Sequence, residues 1–322
     1  MFREMLRHEA LQAAIAELHR EGRIGLHHPD PGAVAANVGA VSALEATDFH
    51  YPAHGDLAPV LWRGLPLSVI ARQLLGSASD GSRGRGLPTE IGSRALRVVP
   101  VSASFGTRVL QAVGTALAAK ARGESAIASV AFGTRAAARG GFHVAMRLAF
   151  EHDLPIVFLA RSHSATSGDN GAVPDEGIAE RARAHGIDAT TVDGEDILAV
   201  HHGVGIAAER ARGGEGPTLV EAILPRPVDE DANEGAAPGP IDRFRSFLDT
   251  QGLVTDAKEA EIRTEIDAEL REAIEDAKSE AAPAPETLFD DVFASVPASL
   301  AEQRSAISAG TQNLDRTGED AR

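Results

Sequence analysis

In the middle of the chain, short continuous apolar runs alternate with segments in which apolar residues recur every three or four positions. A short apolar run is typical of a strand buried on both faces, and the longer spacing is typical of a helix with one buried face. The pattern predicts helices over 106–121, 141–152, 178–185 and 197–212, and strands over 126–132, 155–160, 187–192 and 218–224. This alternation predicts an α/β fold, in which helices flank a parallel sheet.

Helical spacing also marks the segments on both sides of this region. Leu6, Leu11, Ile15 and Leu18 predict a first helix that ends near Gly22. Further helices are predicted over 33–44, 65–75 and 241–248, and an exposed Gly- and Ser-rich loop is predicted over 77–88.

The C-terminal part of the chain is predicted to be helical and to dock against the rest. Thr255 is a suitable N-cap for a helix that runs to about Ala281. One stripe of this helix is apolar, at Ile262, Ile266, Leu270 and Ile274. Before it, residues 225–240 are rich in Pro, Gly and acid, which predicts a loop or linker. We therefore expect an α/β domain over 1–240, a helical extension over 241–300 and a flexible tail over 301–322.

The charge of the chain is uneven and excludes one class of partner. The net charge is −16, and residues 229–322 contribute −14 of it, through 23 acidic and 9 basic side chains. An acidic chain repels phosphate backbones, so nucleic-acid binding is not expected. The charged first segment has no apolar signal-peptide core and no run is long enough to cross a bilayer, so we expect a soluble cytoplasmic protein without membrane contacts.

Ligands of parallel α/β sheets bind beyond the carboxyl ends of the strands. In this chain those ends fall at 133–141, 161–172, 193–194 and 225–240. Any functional site is therefore expected among these segments.

Ten blocks spread over residues 3–303 together carry a family resemblance. They include LHREGRIG (18–25), AVGTALAAKARGE (112–124), LPIVFLA (154–160), ERARGGEGPTLVEA (209–222) and PAPETLFDDVFA (283–294). In this order they resemble the α subunit of the E1 component of 2-oxo acid dehydrogenase complexes, of the pyruvate or branched-chain type. The resemblance implies a thiamine-diphosphate-binding fold, with thiamine diphosphate and Mg²⁺ as cofactors. It also implies an E1 β-like partner in an α2β2 assembly, and a lipoyl acyltransferase core that receives the acyl group.

The family's metal-binding motif is changed in this chain. Diphosphate carries about three negative charges, so its site needs a hard cation with oxygen ligands. The family's Gly-Asp-Gly falls on Gly133, Thr134 and Arg135, and its Asn-Asn falls on Ser162 and His163 after a spacer of 26 residues. The family's metal positions therefore hold Thr134, His163 and Ala165. A hydroxyl is a poorer Mg²⁺ ligand than a carboxylate, and imidazole suits softer metals.

Other cofactor-binding positions that the resemblance implies are Gly106, His54 and Arg226. His54 stands where the family has a Tyr, and Asp56 is the residue of that run that is kept. Arg226 matches a phosphate-binding Arg, but the functional His that follows it in the family is replaced within the acidic loop.

These substitutions leave two hypotheses. The resemblance assigns oxidative decarboxylation of a 2-oxo acid, performed together with a β partner. The replaced ligands favour a non-catalytic paralogue that acts as a scaffold or regulator of an E1-type assembly. No intact catalytic residue can be named from the sequence.

Smaller features also have two interpretations each. Arg135, Arg161 and Arg226 either converge as a metal-free anion pocket or point to solvent. His27, His28, His50 and His54 either bind a metal or are ordinary polar residues, and the loop 81–86 either holds phosphate or is a surface turn.

Overall fold

A five-stranded parallel sheet forms the centre of the computed structural model, which describes residues 1–25, 32–102, 104, 106–163, 177–225, 238–290 and 292–307. The strands are β1 (Phe49–Tyr51), β2 (Ala128–Gly133), β3 (Ile156–His163), β4 (Asp188–Asp193) and β5 (Thr218–Leu224). Their order in the sheet is β1-β2-β3-β5-β4, and every neighbouring pair is parallel. The predicted α/β fold is confirmed.

Eleven of the α-helices in the described ranges are numbered α1 to α11. They are α1 (Phe2–Arg20), α2 (Val34–Ser42), α3 (Ala58–Trp62), α4 (Leu67–Leu75), α5 (Thr107–Arg122), α6 (Thr134–Ala137), α7 (Gly140–Glu151), α8 (Ile178–Arg183), α9 (Ile197–Arg212), α10 (Pro240–Thr250) and α11 (Asp256–Ser279). A 3-10 helix follows at Pro285–Phe289, and residues 298–307 are helical. Each helix predicted from apolar spacing is present within a few residues of its expected bounds.

Both faces of the sheet are covered by helices, which explains why the central strands are continuously apolar. On one face, α5, α7 and α8 pack over Phe158 of β3, and on the other, α2 and α9 pack over Val157. Side chains alternate between the faces of a strand, so β3 contributes Ile156, Phe158 and Ala160 to one core and Val157 and Leu159 to the other. Ala and Val make up most of the helix positions in these cores, which allows the helices to approach the sheet closely.

The C-terminal helix folds back onto the start of the chain, as expected. The Thr255 hydroxyl accepts a hydrogen bond from the backbone N–H of Lys258 at 3.3 Å and caps α11. The apolar stripe of α11 packs against α1 and α4: Ile262, Ile266 and Leu270 are buried, and Ile274 is partly buried.

The elements that were not predicted include three short ones in the α/β region, and the prediction of one loop holds only in part. β1, α3 and α6 are each too short for a periodic pattern to show. The loop over 77–88 is not exposed throughout, because Ser77 and Asp80 are buried and Ala78 donates a backbone hydrogen bond to Ala281. Its first half packs against the end of α11.

The predicted division of the chain stays a prediction. The expected tail over 301–322 begins within the helical residues 298–307, and its remainder lies outside the described residues. The loop predicted over 225–240 also lies largely outside them. No helix in the described part of the chain is long and apolar enough to span a membrane.

Candidate functional site

A cleft with a volume of about 420 Å³ opens at the carboxyl ends of β1, β2 and β3. This is the edge of the sheet at which ligands of parallel α/β folds bind. The residues around it are Pro52, Ala53, His54, Val101, Ser102, Ser104, Gly106, Arg108, Val109, Ala131, Phe132, Gly133, Thr134, Arg135, Ala136, Arg161 and His163. The cleft thus brings together every predicted cofactor or metal position that the structure describes.

Strand register places the altered family motif on one wall of the cleft. Gly133 is the last residue of β2 and lies opposite Arg161 of β3. The short helix α6 starts at the next residue, so Thr134 and Arg135 lie directly at the strand end. His163 ends β3, and its Nδ1 lies 2.9 Å from the carbonyl oxygen of Pro225. The two blocks separated by 26 residues in the sequence are therefore adjacent in space.

The opposite wall comes from the residues after β1 and from the start of α5. His54 follows β1 and is half-buried at the cleft. Gly106 begins α5 with a φ of 89°, a backbone conformation that glycine adopts without strain. Arg108 and Val109 follow in the first turn of α5 and also line the cleft.

The side chains around the cleft are cationic. Arg108 and Arg161 are half-buried, Arg135 is exposed at the rim, and no Asp or Glu is among the described residues that line it. Arg161 donates from Nη1 to the amide oxygen of Asn37 at 2.8 Å, and Arg108 donates from Nη1 to the amide oxygen of Gln111 at 2.8 Å. The cleft therefore offers donors and positive charge, which suit an anion.

This donor set does not fit a magnesium diphosphate. Mg²⁺ takes hard oxygen ligands, carboxylates above all. Thr134 offers only a hydroxyl and His163 only an imidazole, while Ala165 lies outside the described residues. Over the ranges that the structure describes, no group of three or more His, Cys, Asp or Glu side chains could hold a metal ion. Of the three arginines for which the sequence left two interpretations open, Arg135 and Arg161 line the cleft, and Arg226 lies outside the described residues.

Asp56, the retained acid of the family run, has a structural role. Its side chain is 3 % exposed, and Oδ1 accepts a hydrogen bond from the backbone N–H of Ala58 at 3.0 Å. It therefore fixes the start of α3 and does not line the cleft.

The histidines do not form one cluster. His50 lies in β1 within the core, where burial, and secondarily the charge of Arg63, lowers its pKa to about 3. His54 lines the cleft, and His27 and His28 lie outside the described residues. On the surface formed by α7 and α8, Nδ1 of His143 lies 2.9 Å from Nε2 of His185.

The loop over 81–86 is a packed turn rather than a phosphate site. The backbone N–H of Gly84 donates to the Asp80 carboxylate at 3.1 Å, and Arg85 donates to the carbonyl oxygen of Thr287. The carboxylate occupies the donors that a phosphate would need.

Sequence reasoning missed two residues of the site. Arg108 was hidden within an Ala-rich helix pattern. Asn37 is 1 % exposed and lies in α2, where it orients Arg161. An Asn flanked by Ala and Val in a buried helix was the available signal, because a buried amide needs a polar partner.

Comparison with known proteins agrees with this geometry. Residues 3–286 match the family described as dehydrogenase E1 component. The 2-oxoisovalerate dehydrogenase subunit alpha of Bacillus subtilis (strain 168) is 32 % identical over 311 residues, which cover 91 % of this chain and 94 % of the relative. The pyruvate dehydrogenase E1 component subunit alpha of the same organism is 29 % identical, over 94 % of this chain and 84 % of the relative. The mitochondrial 2-oxoisovalerate dehydrogenase subunit alpha 2 of Arabidopsis thaliana is 29 % identical, over 94 % of this chain and 68 % of the relative.

A parallel sheet with a ligand cleft at its carboxyl edge defines the class as an α/β ligand-binding fold. The chain belongs to the dehydrogenase E1 component family, and it is similar to the α subunits of that family.

Proposed function

We propose that this chain takes the α-subunit position in a 2-oxo acid dehydrogenase E1 assembly, with magnesium-dependent binding of thiamine diphosphate weakened or lost. One observation carries the second half of the proposal: three arginines and no described carboxylate line the cleft. When bound, thiamine diphosphate supplies a thiazolium ring that serves as the electron sink of decarboxylation. The residues described around the cleft do not fit the magnesium diphosphate end of that cofactor.

The preserved scaffold supports a role in an assembly. Family similarity extends from the first helix to the 3-10 helix at residue 285, and it is not confined to the cleft. Helices α5 and α7 contact each other and carry exposed apolar side chains, among them Leu117, Val144 and Phe150. Large apolar side chains exposed on neighbouring helices are a feature of protein interfaces. An E1 β-like chain is the partner that this surface and the family similarity together favour.

Coexpression with an E1 β-like chain tests the assembly, and calorimetry tests the cofactor. The proposal expects a stable complex by gel filtration that takes up no thiamine diphosphate at micromolar concentrations with Mg²⁺ present. Micromolar binding of thiamine diphosphate to the complex would contradict it. If no complex forms with the β-like chain, the proposed α-subunit role is contradicted.

The second candidate is an active E1 α subunit. It is favoured by identity of 29–32 % to subunits named as dehydrogenases, over 91 % or more of this chain. Turnover of pyruvate or a branched-chain 2-oxo acid with Mg²⁺ and an artificial electron acceptor would establish it. Assembly without turnover supports the non-catalytic scaffold or regulator.

A variant in which the family's residues are restored tests whether the cleft can still bind the cofactor. Thr134→Asp, Arg135→Gly and His163→Asn together return the family's residues to the strand ends. Recovery of magnesium-dependent binding in this variant alone would show that those three positions account for the loss. Equal affinity of the variant and the natural chain would show that they do not.

A further inference from the structure

We propose that the pair formed by His143 and His185 is a proton-sensitive switch, which holds the end of α8 against α7 while both imidazoles are neutral and opens when either takes up a proton. This histidine pair lies on the surface formed by α7 and α8, and neither residue is among those that line the cleft. The proposal is independent of what the cleft binds and of the partner of the chain.

The hydrogen bonds of the histidine pair determine where its protons lie. Nδ1 of His143 is 2.9 Å from Nε2 of His185, and Nη2 of Arg181 is 3.2 Å from Nε2 of His143. A guanidinium only donates, so Nε2 of His143 must accept and carries no proton. The single N–H of neutral His143 is therefore on Nδ1, and it donates to Nε2 of His185. The proton of neutral His185 must then be on its Nδ1.

Neither imidazole can gain a proton without losing one of these contacts. A proton on Nε2 of His143 would point at the Arg181 guanidinium, and a proton on Nε2 of His185 would point at the N–H of His143. In both cases two donors face each other, and a positive charge is added near Arg181, whose guanidinium is always protonated. The hydrogen bonds are therefore compatible with the neutral forms only.

The charged groups around the histidine pair favour the same neutral state. Arg181 comes from α8, and Arg147 comes from α7, where it also pairs with Glu151 at 2.5 Å. Burial, followed by the charges of His143, Arg147 and Arg181, lowers the pKa of His185 from its ordinary value. The unfolded chain takes up this proton below about pH 6.5, whereas the folded chain resists it until a lower pH. The contact is thus complete above that pH and is lost as the pH falls.

Helix α8 is attached at both ends, and acid acts on one end only. The Glu221 carboxylate of β5 caps its first turn. At its other end the chain turns at Gly186, where φ is 85° and a Cβ would lie 2.6 Å from the Phe150 ring of α7. Glycine thus lets this turn approach α7 closely enough for His185 to reach His143. In acid, α8 keeps its cap but loses the hydrogen bond to α7, so its C-terminal end should loosen.

Arg181 extends the effect to the wall of the cleft. Its Nη2 also donates to the carbonyl oxygen of Ala137 at 2.5 Å, and its guanidinium lies over the Phe142 ring, 5.2 Å from the centroid. Ala137 is the last residue of α6, which begins at Thr134 on the cleft. A proton on Nε2 of His143 repels the guanidinium that holds this carbonyl. Acid should therefore loosen the end of α6 together with α8.

The protonation states are tested by ring ¹⁵N NMR of the natural chain, labelled at histidine. At pH 8 both His143 and His185 should show the Nδ1–H form, with Nε2 unprotonated. On titration, His185 should take up its proton only below about pH 6.5. The Nε2–H form at either residue at pH 8 would overturn the proposal.

Coupling between the two rings is tested with His143→Phe, which removes the hydrogen bond and keeps an aromatic ring against Phe142. Loss of the donor and of the charge at position 143 should raise the pKa of His185, so that it is half-protonated at a proton concentration roughly threefold lower or more. His152→Phe, at an exposed histidine that ends the same helix, is the matched control and should leave this pKa unchanged. An equal pKa of His185 in the natural chain and in His143→Phe contradicts the coupling.

Hydrogen exchange of the natural chain measures the opening. The N–H of Gly186 bonds to the carbonyl oxygen of Arg183 at 2.9 Å, and that of Ala138 bonds to the carbonyl oxygen of Thr134 at 3.0 Å. The protection factors of both amides, corrected for the intrinsic pH dependence of exchange, should fall roughly threefold or more between pH 7.5 and 5. In His143→Phe they should not change with pH.

The amide of Gly123, which bonds to Lys120 at the far end of α5, is the internal control and should keep its protection. Unchanged protection at Gly186 would mean that acid does not open the histidine pair. Loss at Gly186 without loss at Ala138 would contradict the link to the cleft wall. The NMR and exchange measurements on the natural chain decide the proposal even if His143→Phe folds poorly.

Discussion

The face formed by α1 and α11 and the strand-end cleft both contain arginines, but the two regions use them differently. On the helical face, Arg7 contacts Glu269 at 2.8 Å and Arg263 contacts Glu9 at 2.9 Å, so each charge is matched by an acid from the other helix. In the cleft, Arg108 donates to the amide oxygen of Gln111 and Arg161 to the amide oxygen of Asn37. The first arrangement joins two helices through opposite charges, and the second orients guanidinium groups through neutral amides. The helical face and the cleft therefore differ in the groups that surround their arginines.

The largest expected effect is on the free energy of unfolding, for a substitution in the buried sheet. Phe158 is completely buried in the middle of β3, and Phe158→Ala should lower the free energy of unfolding by about 3–5 kcal/mol through lost burial and a cavity. Urea unfolding measures it. Phe293→Ala, at a side chain 57 % exposed, is the control and should cost far less. Equal losses would mean that the sheet is not the core that the structure shows.

Glu221 links strand β5 to the start of helix α8. It is 4 % exposed in β5, and its carboxylate accepts hydrogen bonds from the backbone N–H groups of Ile178 at 3.2 Å and Ala179 at 2.8 Å. Glu221→Ala removes an acceptor for two buried donors and should cost about 2–3 kcal/mol. Hydrogen exchange should show lost protection at those two amides first. Glu215→Ala, at an exposed acid, should leave both protected.

The pH dependence of stability follows from His50, whose pKa is lowered to about 3 by burial and, secondarily, by Arg63. The unfolded chain takes up a proton below about pH 6.5 and the folded chain does not, so stability is complete above that pH and falls as the pH decreases toward 3. Between pH 7.5 and 5 the loss should be about 2 kcal/mol. Denaturant titrations of the natural chain and His50→Leu measure it.

His50→Leu cannot bind that proton, so its stability should change less over the same range. Parallel curves for the two proteins would show that His50 does not remain neutral in the folded state.

The smallest effect on stability is expected in the cleft itself. Arg135→Gln changes a side chain at the rim and should shift the free energy of unfolding by about 0.5 kcal/mol or less. Arg263→Gln on the helical face breaks pairs with Glu9 and Glu259, and should lower it by about 0.5–1 kcal/mol. A larger loss of unfolding free energy in Arg263→Gln than in Arg135→Gln would support the contrast between the two regions, and equal losses would contradict it.

Periodicity was sufficient to find the scaffold because its elements are long. Helix α9 and strand β5 have the bounds expected from apolar spacing, and the stripe on α11 faces α1 and α4. Elements such as β1 and α6 hold three and four residues, which are too few for a periodic pattern to be recognised. Their positions come from pairing and packing that only the folded chain supplies.

A general rule for parallel sheets and the motif spacing of the family were enough to predict where the cleft lies. They were not enough to predict the hydrogen bonds that orient its side chains. The rule placed Gly133 and Arg161 at one edge of the sheet, and register places them side by side. The contact between Asn37 and Arg161 joins residues 124 positions apart, so no local pattern contains it. Asp56 is kept from the family run, and the sequence did not show its role, which is to fix the start of helix α3 through the backbone N–H of Ala58.

The return of α11 over α1 also has a consequence for the order in which the chain becomes stable. Arg3 contacts Glu265, a partner 262 positions later, and Leu11 and Ile15 share a core cluster with Leu270 and Ala273. During synthesis α11 begins 236 positions after the last residue of α1, so this part of the packing of the first helix is completed long after the helix itself is made. Contacts of such long sequence separation form late and slow folding. Until α11 has been made, Leu11 and Ile15 therefore lack the apolar contacts that Leu270 and Ala273 supply in the folded chain.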